Sequence, residues 1–352
     1  MSAWAGSTNL GDELILSALL EKLRRRGAVA QVLSADPTGT TSVHEAAASS
    51  TADLLRHRPQ RHAVLLGGGG LLQDETSPFN LPFHLGRTWL AAAGSPSAGI
   101  GLGVGPLSGR FARSMVRRTL DRTVATSVRD QQSQALLRGM GVVSLLAADL
   151  ALSLPLPHVE VQGRIGVSLR SWTGSRHVLP VGLRRARSSV STPPWFVPGM
   201  AAALDLAAVR TGLAVHFIAF QHDRDDVVHR EVAARMRTPT TFSVPTVHTV
   251  VDEVAACEVV VAMRYHAAIA AVLGGRPALL IGYSPKVPAL AGEVPGGLAG
   301  TSWDPASLAA LSRTLDSVLG EHEAVVEGRE RLRNRERVND DIIDVLLEAH
   351  VG

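Results

Sequence analysis

A histidine and a lysine stand twenty positions apart in the segment AMRYHAAIAAVLGGRPALLIGYSPK, which covers residues 262–286. The lysine, Lys286, is one of two in the chain, and the other basic side chains are arginines and histidines. Histidine titrates near neutral pH and can transfer a proton, whereas lysine and arginine neutralise phosphate and carboxylate groups. The pair formed by His266 and Lys286 is therefore a candidate for proton transfer beside an anion-binding lysine.

The pattern around this pair predicts how the two side chains are positioned. The apolar runs 258–263 and 278–282 predict two strands joined by a helix, with Arg264 and His266 just after the first strand and Lys286 just after the second. Ligands of open parallel sheets bind at the carboxyl ends of the strands. If the two strands are neighbours, these side chains overhang one crevice. A lone histidine is more often structural, but its cationic neighbours make His266 a candidate catalytic residue.

Two further arginines follow predicted strands. Arg129 is the third residue of the motif SVRD, and Arg170 is the last residue of GVSLR in the second half of the chain. Arginine at this place suits a carboxylate or a phosphate, which it binds through two parallel hydrogen bonds. Each residue taken alone is as easily explained by an ordinary ion pair. Their place at the carboxyl ends of strands, where ligands of open parallel sheets bind, makes both candidates for binding such an anion.

Polar residues and glycine precede a predicted helix in GSTNLGDELIL, residues 6–16. An asparagine or aspartate can cap the helix, and glycine allows a close approach of the backbone. Capping alone accounts for one of these residues. A helix N-terminus also binds anions or sugars. We therefore expect four residues to line the acceptor side or to hold the cleft together: Asn9, Gly11, Asp12 and Glu13.

Four consecutive glycines follow a short apolar strand in GGGGLLQD, residues 67–74. A tight turn needs one or two glycines, and each further glycine costs backbone entropy. The run therefore predicts that a ligand or the facing domain comes very close. It does not fit the dinucleotide pattern G-x-G-x-x-G, and neither lysine follows a glycine as a Walker loop requires. The candidates for the acceptor side or cleft are Gly68, Gly69, Gln73 and Asp74.

The rest of the chain predicts two α/β domains. Its 352 residues exceed one ordinary core, and short apolar runs alternate with amphipathic stretches, as in parallel sheets. The pattern breaks at LPLP, so we predict an N-terminal domain at 1–155, a second domain at 163–304 and C-terminal helices at 305–352. Residues 174–198 predict a loop, either a lid over the substrate or a plain surface loop.

The composition excludes several classes of protein. A net charge of +3 argues against a dedicated nucleic-acid binder, and the single Cys257 excludes an internal disulfide and a cysteine-based zinc site. No metal motif is present; HDRDD at 222–226 predicts a solvated loop more readily than a cation site. Cysteine usage favours the cytoplasm. The dense arginines at 110–122 predict solvated helix faces or, as the alternative, attraction to an anionic membrane surface or a phosphorylated substrate.

Six motifs follow one another along the chain: GxxNxGDE at 6–13, GGGGLLQD at 67–74, SVRD at 127–130, GVSLR at 166–170, MRYHA at 263–267 and YSPK at 283–286. Their order and spacing, over about residues 3–290, resemble the polysaccharide pyruvyl transferase family, and most closely the bacterial members that modify the wall polysaccharide anchoring S-layer proteins. The resemblance implies a GT-B-like α/β fold, with two Rossmann-like domains whose parallel sheets face a central cleft. It implies phosphoenolpyruvate as a substrate, with no cofactor. It implies transfer of pyruvate to a sugar, N-acetylmannosamine, as a ketal that bridges O4 and O6.

The resemblance also implies residue roles. The family's motif arginine, histidine and lysine fall on Arg129, His266 and Lys286. His266 is then the general acid, and the other two bind phosphate and carboxylate. Arg264 and Arg170 are further donor-binding candidates. Two departures are a short segment before the first motif and Tyr265, where leucine is usual, which we expect to matter little.

The implied partners are phosphoenolpyruvate and a glycan acceptor, free or lipid-linked, with no nucleic acid. The implied location is the cytoplasm, either in solution or in peripheral contact with the inner membrane surface. A nucleotide-sugar-dependent GT-B glycosyltransferase is the nearest rival. It needs a late acidic residue for the ribose, and Glu293 is the only one near Lys286. A non-catalytic glycan-binding protein needs aromatic platforms, and aromatic residues are only 4% of the chain.

Overall fold

The chain folds into two parallel β-sheets, each flanked by helices. The structure is a computed structural model, and it describes residues 1–56, 62–74, 79–171, 192–282 and 286–351. Most of the predicted loop at 174–198 lies outside these residues, as does the side chain of Lys286. Within the described ranges, no helix is long and apolar enough to cross a membrane.

The first sheet has eight parallel strands in the order β3-β2-β1-β4-β6-β7-β8, with β5 pairing β6. Strands β2 and β3 lie on one side of β1, and the chain then returns to place β4 on the other side. The strand order therefore reverses between β1 and β4. The strands are β1 Ser2–Ala5, β2 Gln31–Ser34, β3 Ala47–Ser49, β4 Val64–Leu66, β5 Gly69–Leu72, β6 Ser97–Val104, β7 Thr126–Val128 and β8 Leu145–Leu146. The helices are α1 Leu10–Arg25, α2 Pro37–His44, α3 Thr51–Arg56, α4 Asn80–Ala92, α5 Arg110–Leu120 and α6 Gln131–Gly139, followed by the 3-10 helix Leu150–Ser153.

The second sheet has six parallel strands in the order β11-β10-β9-β12-β13-β14, and its order reverses between β9 and β12. The strands are β9 Gln162–Ser168, β10 Ala214–Ile218, β11 Thr240–Ser243, β12 Cys257–Ala262, β13 Ala278–Gly282 and β14 Leu298–Ser302. The helices are α7 Phe196–Thr211, α8 His222–Ala233, α9 Val250–Ala255, α10 Tyr265–Gly274 and α11 Lys286–Glu293. Helix α10 has apolar residues on all its faces, and residues 267–273 are fully buried, so it forms the centre of the core.

The C-terminal segment is helical, as the sequence predicts, with α12 Pro305–Ala309, α13 Leu311–Asp316, α14 His322–Glu336 and α15 Val338–Val351. The last helix crosses back onto the first sheet. Ser127 Oγ donates to Asn339 Oδ1 at 2.6 Å, and Lys22 Nζ lies 3.1 Å from Glu336 and 2.8 Å from Asp340. These buried contacts fasten the end of the chain to its N-terminal half.

Two sequence interpretations are wrong. HDRDD at 222–226 is not a solvated loop but opens helix α8, and its Asp225 is completely buried. Gly11, Asp12 and Glu13 do not precede helix α1 but lie in its first turn, because the helix begins at Leu10 with Asn9 as its cap. The expected neighbouring strands, β12 and β13, do pair in parallel.

Candidate active site

The two strand-order reversals place the sequence motifs at the junction of the two halves. Helix α1 follows β1, and helix α10 follows β12, so both helices begin at carboxyl ends of central strands. The backbone N–H of Leu10 donates to the carbonyl of Phe220 at 2.8 Å, which joins the halves directly. A Cβ atom at Gly11 would lie only 2.2 Å from Nδ1 of His266. The histidine ring therefore packs against the backbone of α1, where only glycine leaves room for it.

His266 belongs to a buried charge cluster with Arg129 and Asp149. Its Nε2 lies 3.5 Å from Asp149 Oδ2, and the same oxygen accepts from Arg129 Nη1 at 2.9 Å. The exposed fractions of the three residues are 9% for His266, 4% for Arg129 and 2% for Asp149. No group in the described part of the chain hydrogen-bonds Nε2 of His266 with good geometry. A buried polar atom in this state requires an explanation, and a catalytic role is one such explanation.

Asp149 is a site residue that the sequence analysis missed. Its Oδ1 accepts from the N–H of Ala151 at 3.1 Å, so it also caps the 3-10 helix. Burial alone would raise the pKa of Asp149, but His266, Arg129 and the backbone N–H together lower it well below its usual range. The carboxylate is therefore ionised. The sequence shows only an aspartate before an apolar turn, which is a helix-cap signal and not a site signal.

Arg129 is held on three sides. Its guanidinium lies 4.1 Å from the centre of the Tyr265 ring, and a Cβ atom at Gly103 would fall 2.9 Å from its Nε. Burial opposes the charge, but Tyr265, Asp149 and the neighbouring Asp130 raise the pKa of Arg129 above its usual value. Tyr265, expected to matter little, is thus one wall of the arginine site. A small cavity beside it is lined by this arginine and by Asp149.

Asp12 lies next to the contact between α1 and His266. Its Oδ2 accepts from Asn9 Nδ2 at 2.5 Å, while Asn9 Oδ1 accepts from the N–H of Gly11 as the helix cap. Burial raises the pKa of Asp12, although His266 and the bond from Asn9 partly offset that effect. Asp12 therefore retains its proton to a higher pH than a free carboxyl group does. Two groups able to carry a proton thus meet at the junction.

Glu13 contacts structural partners with both oxygens. Oε1 accepts from the N–H of Gly6 at 3.0 Å, and Oε2 lies 2.7 Å from Nε2 of His44, which is buried. Nδ1 of His44 is in turn 3.3 Å from Ser17 Oγ. The Ala/Ser-rich segment that starts at His44 gave no chemical signal in the sequence. Here it fixes the loop that precedes α1, which makes Glu13 a residue that positions the site.

Arginines also gather at the order reversal of the second sheet. Arg264 Nε donates to Asp225 at 3.1 Å, and its Nη2 donates to Gln221 at 3.1 Å. Burial lowers the pKa of Arg224, and repulsion by Arg264 and Arg170 lowers it further. Arg170 and Arg264 follow β9 and β12, and Arg224 lies in the first turn of α8, which follows the adjacent strand β10. Arg224 was not recognised from the sequence, because it stands in the segment interpreted as a solvated loop.

The glycine run packs inside its own half. A Cβ atom at Gly68 would lie 2.9 Å from Leu150 and 3.1 Å from Ile15, so α1 and the 3-10 helix are what come close, not the facing domain. Gly69, with φ at +88°, lies beside Asp12, whose Oδ1 would be 3.6 Å from a Cβ atom there.

Gln73 and Asp74 lie further along the same segment. The carbonyl of Gln73 accepts from Asn80 at 3.0 Å. The carboxylate of Asp74 accepts from the N–H of Ser108 at 3.0 and 2.9 Å, so it holds the loop that follows β6. Asp74 also lines a groove of about 190 Å³ between α4 and α5. These two residues therefore shape the rim of the first half and not the cluster around His266.

The structure places the remaining candidates as follows. Arg170 follows β9 and is partly buried. Lys286 opens α11 beyond β13, and the motif residues 283–285 lie outside the described residues. Glu293, the acidic residue that a ribose-binding role would need, is paired with Arg335 at 2.9 Å.

Comparison with solved structures identifies the fold. HepE of Anabaena in complex with UDP-glucose has a TM-score of 0.54 at 10% identity, covering 99% of this chain and 96% of its own. A putative UDP-N-acetylglucosamine 2-epimerase of Listeria monocytogenes reaches 0.61 at 10% identity, covering 98% and 94%. The UDP-GlcNAc 2-epimerase of Neisseria meningitidis bound to UDP-GlcNAc gives 0.54 at 11%, covering 95% and 96%. At these identities the likeness shows the two-domain GT-B-like fold alone.

Comparison of sequences identifies the family. No curated protein matches the chain significantly. The model of the family described as polysaccharide pyruvyl transferase matches residues 9–285, which include the α1 motif and the His266 motif. That span takes in strands β2 to β13, which belong to both sheets. The chain therefore belongs to the polysaccharide pyruvyl transferase family.

Proposed function

We propose that this transferase moves pyruvate from phosphoenolpyruvate to a sugar of a cell-wall polysaccharide and forms a ketal that bridges O4 and O6. The observation that carries the proposal is the buried Nε2 of His266, held at the junction of the two halves without a well-formed hydrogen bond. A proton donor beside an arginine, at the carboxyl edges of two sheets, suits an anionic enol phosphate.

The first step is protonation of the donor. His266 gives its proton to the methylene carbon of phosphoenolpyruvate, which becomes a methyl group while positive charge develops at the adjacent carbon. One sugar hydroxyl attacks that carbon, the C–O bond to phosphate breaks, and the second hydroxyl closes the ketal. One hydroxyl proton replaces the proton given by His266, and the other leaves with the phosphate. General acid catalysis of this kind contributes about 10²–10⁴-fold.

The surrounding side chains bind and orient the reactants. Arg129, locked between Asp149 and the ring of Tyr265, neutralises the phosphate or the carboxylate, with Lys286 as its partner. The arginines at the ends of β9 and β12, Arg170 and Arg264, add positive charge to the same cleft. Asp149 holds Arg129 and lies 3.5 Å from the imidazole Nε2, and it does not react, because its carboxylate stays ionised.

Asp12 is our candidate for the acceptor side. A carboxyl group whose pKa is raised is a stronger base once ionised, and it sits one residue from the contact with His266. It accepts the proton of the attacking hydroxyl and passes it to the departing phosphate, while the proton of the second hydroxyl restores His266. Asn9 donates to its carboxylate, and Gly69 lies beside it.

The acceptor and the site of action follow from the resemblance. The acceptor is N-acetylmannosamine in a wall polysaccharide of the kind that anchors S-layer proteins. The reaction takes place in the cytoplasm, where phosphoenolpyruvate is produced. A deletion strain whose wall glycan retained its pyruvate would contradict this role.

The decisive assay measures phosphate released from phosphoenolpyruvate with a synthetic N-acetylmannosamine disaccharide. The wild type should release phosphate only with the acceptor present, and His266→Gln should lose at least about 100-fold in rate. The matched control is His62→Gln, which lies outside the cleft and contacts the carbonyl of Ala91. Activity with UDP-N-acetylglucosamine, and none with phosphoenolpyruvate, would establish the glycosyltransferase alternative instead. Equal rates for the wild type and His266→Gln would refute the role of the histidine.

A further inference from the structure

We propose that the exposed face of helices α4 and α5 docks on an anionic lipid surface. This face, the α4–α5 face, is defined by six side chains: Phe79, Phe83, Arg110, Phe111, Arg113 and Arg118. It lies on the first half of the molecule, and the two helices pack against each other.

The apolar part of the α4–α5 face is unusually exposed. Phe111 has 72% of its surface in water, Phe79 50% and Phe83 44%. Large aromatic side chains normally bury their surface, and exposed apolar patches mark interaction sites. Phe111 also lines the groove of about 190 Å³ between the helices, together with Pro82 of α4. The face thus offers both projecting rings and an apolar recess.

The charges around these rings select the partner. Helix α5 reads RFARSMVRRTL, with all four arginines exposed and no acidic residue within the helix. Arg117 is paired with Asp121, which follows the helix, at 3.3 Å. A basic helix that carries exposed phenylalanine is typical of segments that lie in a membrane interface. A second copy of this chain would present the same positive charge to this face, so symmetric pairing is disfavoured.

The position of α5 relates this face to the active site. Strand β6 carries Gly103, which packs against Arg129, and the chain then passes through residues 105–109 to the start of α5. The N-terminal turn of α5, with Arg110 and Phe111, therefore lies at the same edge of the first sheet as Arg129. Docking by this face places the cleft against the lipid. The consequence that the acceptor is lipid-linked rests on the proposed function, whereas the docking itself does not.

The test is sedimentation with phosphatidylglycerol vesicles, compared with phosphatidylcholine vesicles. The wild type should bind only the anionic vesicles, and binding should weaken as salt rises. The triple variant Arg110→Gln, Arg113→Gln, Arg118→Gln should lose on the order of 100-fold in binding, since each arginine near the surface contributes about fivefold. Phe111→Ser should lose at least about tenfold, because its ring no longer enters the interface.

Matched controls come from exposed side chains elsewhere. Val209→Ser removes an apolar side chain that is 73% exposed, and Arg235→Gln with Arg313→Gln and Arg331→Gln removes three exposed arginines. These controls should bind vesicles as the wild type does. Wild-type protein that ignores phosphatidylglycerol, or controls that lose as much as the face variants, would overturn the proposal.

Two further readouts separate the outcomes. Phosphate release with the water-soluble disaccharide should be unchanged in every face variant, so a failed transfer assay and a failed docking assay remain distinct. Light scattering reports the oligomeric state. If Phe111→Ser turned a dimer into a monomer and left vesicle binding intact, the face would be an interface between copies and the proposal would be wrong.

Discussion

Gly11 and His266 approach so closely that a Cβ atom on the glycine would lie 2.2 Å from Nδ1 of the histidine. The two residues belong to helices that begin at the central strands of different sheets. The contact therefore couples the packing of the two halves to the orientation of the imidazole ring. It also gives a reason for glycine at this position that capping of α1 does not give.

Gly11→Ala should displace the histidine and inactivate the enzyme. The added methyl group must push the ring or the helix away, at a cost of about 1–3 kcal/mol. We expect the rate of phosphate release to fall at least about 100-fold, because small displacements of reacting groups have effects of this size. Thermal unfolding measured beside the kinetics separates the loss of rate from the loss of fold.

The matched control for this substitution is Gly86→Ala in helix α4, where an added Cβ atom meets nothing within 4 Å. That change should leave the rate unchanged and raise stability by about 0.4–1 kcal/mol, since alanine restricts the unfolded chain. A fully active Gly11→Ala enzyme would show that the ring position is not critical.

Asp149→Asn should weaken both stability and activity. It removes the negative charge that Arg129 and His266 share and leaves a buried cation uncompensated, which costs about 3–5 kcal/mol. The pKa of Asp149 is lowered in the folded state, so its contribution to stability is complete above its ordinary value of 3.8 and is lost as the pH falls below it.

Urea unfolding at a series of pH values checks this sign. The wild type should exceed Asp149→Asn in stability at neutral pH, and the difference should shrink as the pH falls below about 4. The kinetic readout is the pH profile of phosphate release. This profile should shift in the variant, because asparagine carries no negative charge beside His266. A pH-independent difference in stability would contradict an ionised Asp149.

The two parallel sheets could be predicted from the sequence, because short apolar runs alternate regularly with helix signals. The site motifs could be predicted because their polar residues directly follow predicted strands. The reversal of strand order brings these motifs together. Arg170 and Arg264, for example, follow the neighbouring strands β9 and β12. Contacts between distant residues left no local signal. Asp149 looks like a helix cap, and the buried pair of His44 with Glu13 joins residues 31 positions apart that no periodicity connects.

Arg224→Gln should weaken binding of the donor. Arg224, in the first turn of α8 after β10, is repelled by Arg170 and Arg264, which follow the adjacent strands β9 and β12. An anion bound between the three side chains relieves this repulsion. We expect the KM for phosphoenolpyruvate to rise about tenfold with kcat little changed. A charged hydrogen bond contributes about 1.5–3 kcal/mol, and a contact made equally in the bound substrate and in the transition state affects KM and not kcat. Arg230→Gln, on the same helix and paired with Asp226, should leave KM unchanged. Equal effects of the two substitutions would assign the change to general charge.

Glu336→Gln should change the pH dependence of stability. Burial raises the pKa of Glu336 from 4.5 to about 7, although Lys22 and Asn339 oppose the shift. The folded state then holds a proton that the unfolded chain releases above pH 4.5, so wild-type stability falls as the pH rises from about 4.5 to 7 and is level beyond. The variant lacks this term. Its stability relative to the wild type should therefore improve across that interval, by up to about 3 kcal/mol. Urea unfolding at pH 5 and pH 8 measures the change, and a relative stability that moved the other way would show that the ion pair with Lys22 outweighs burial.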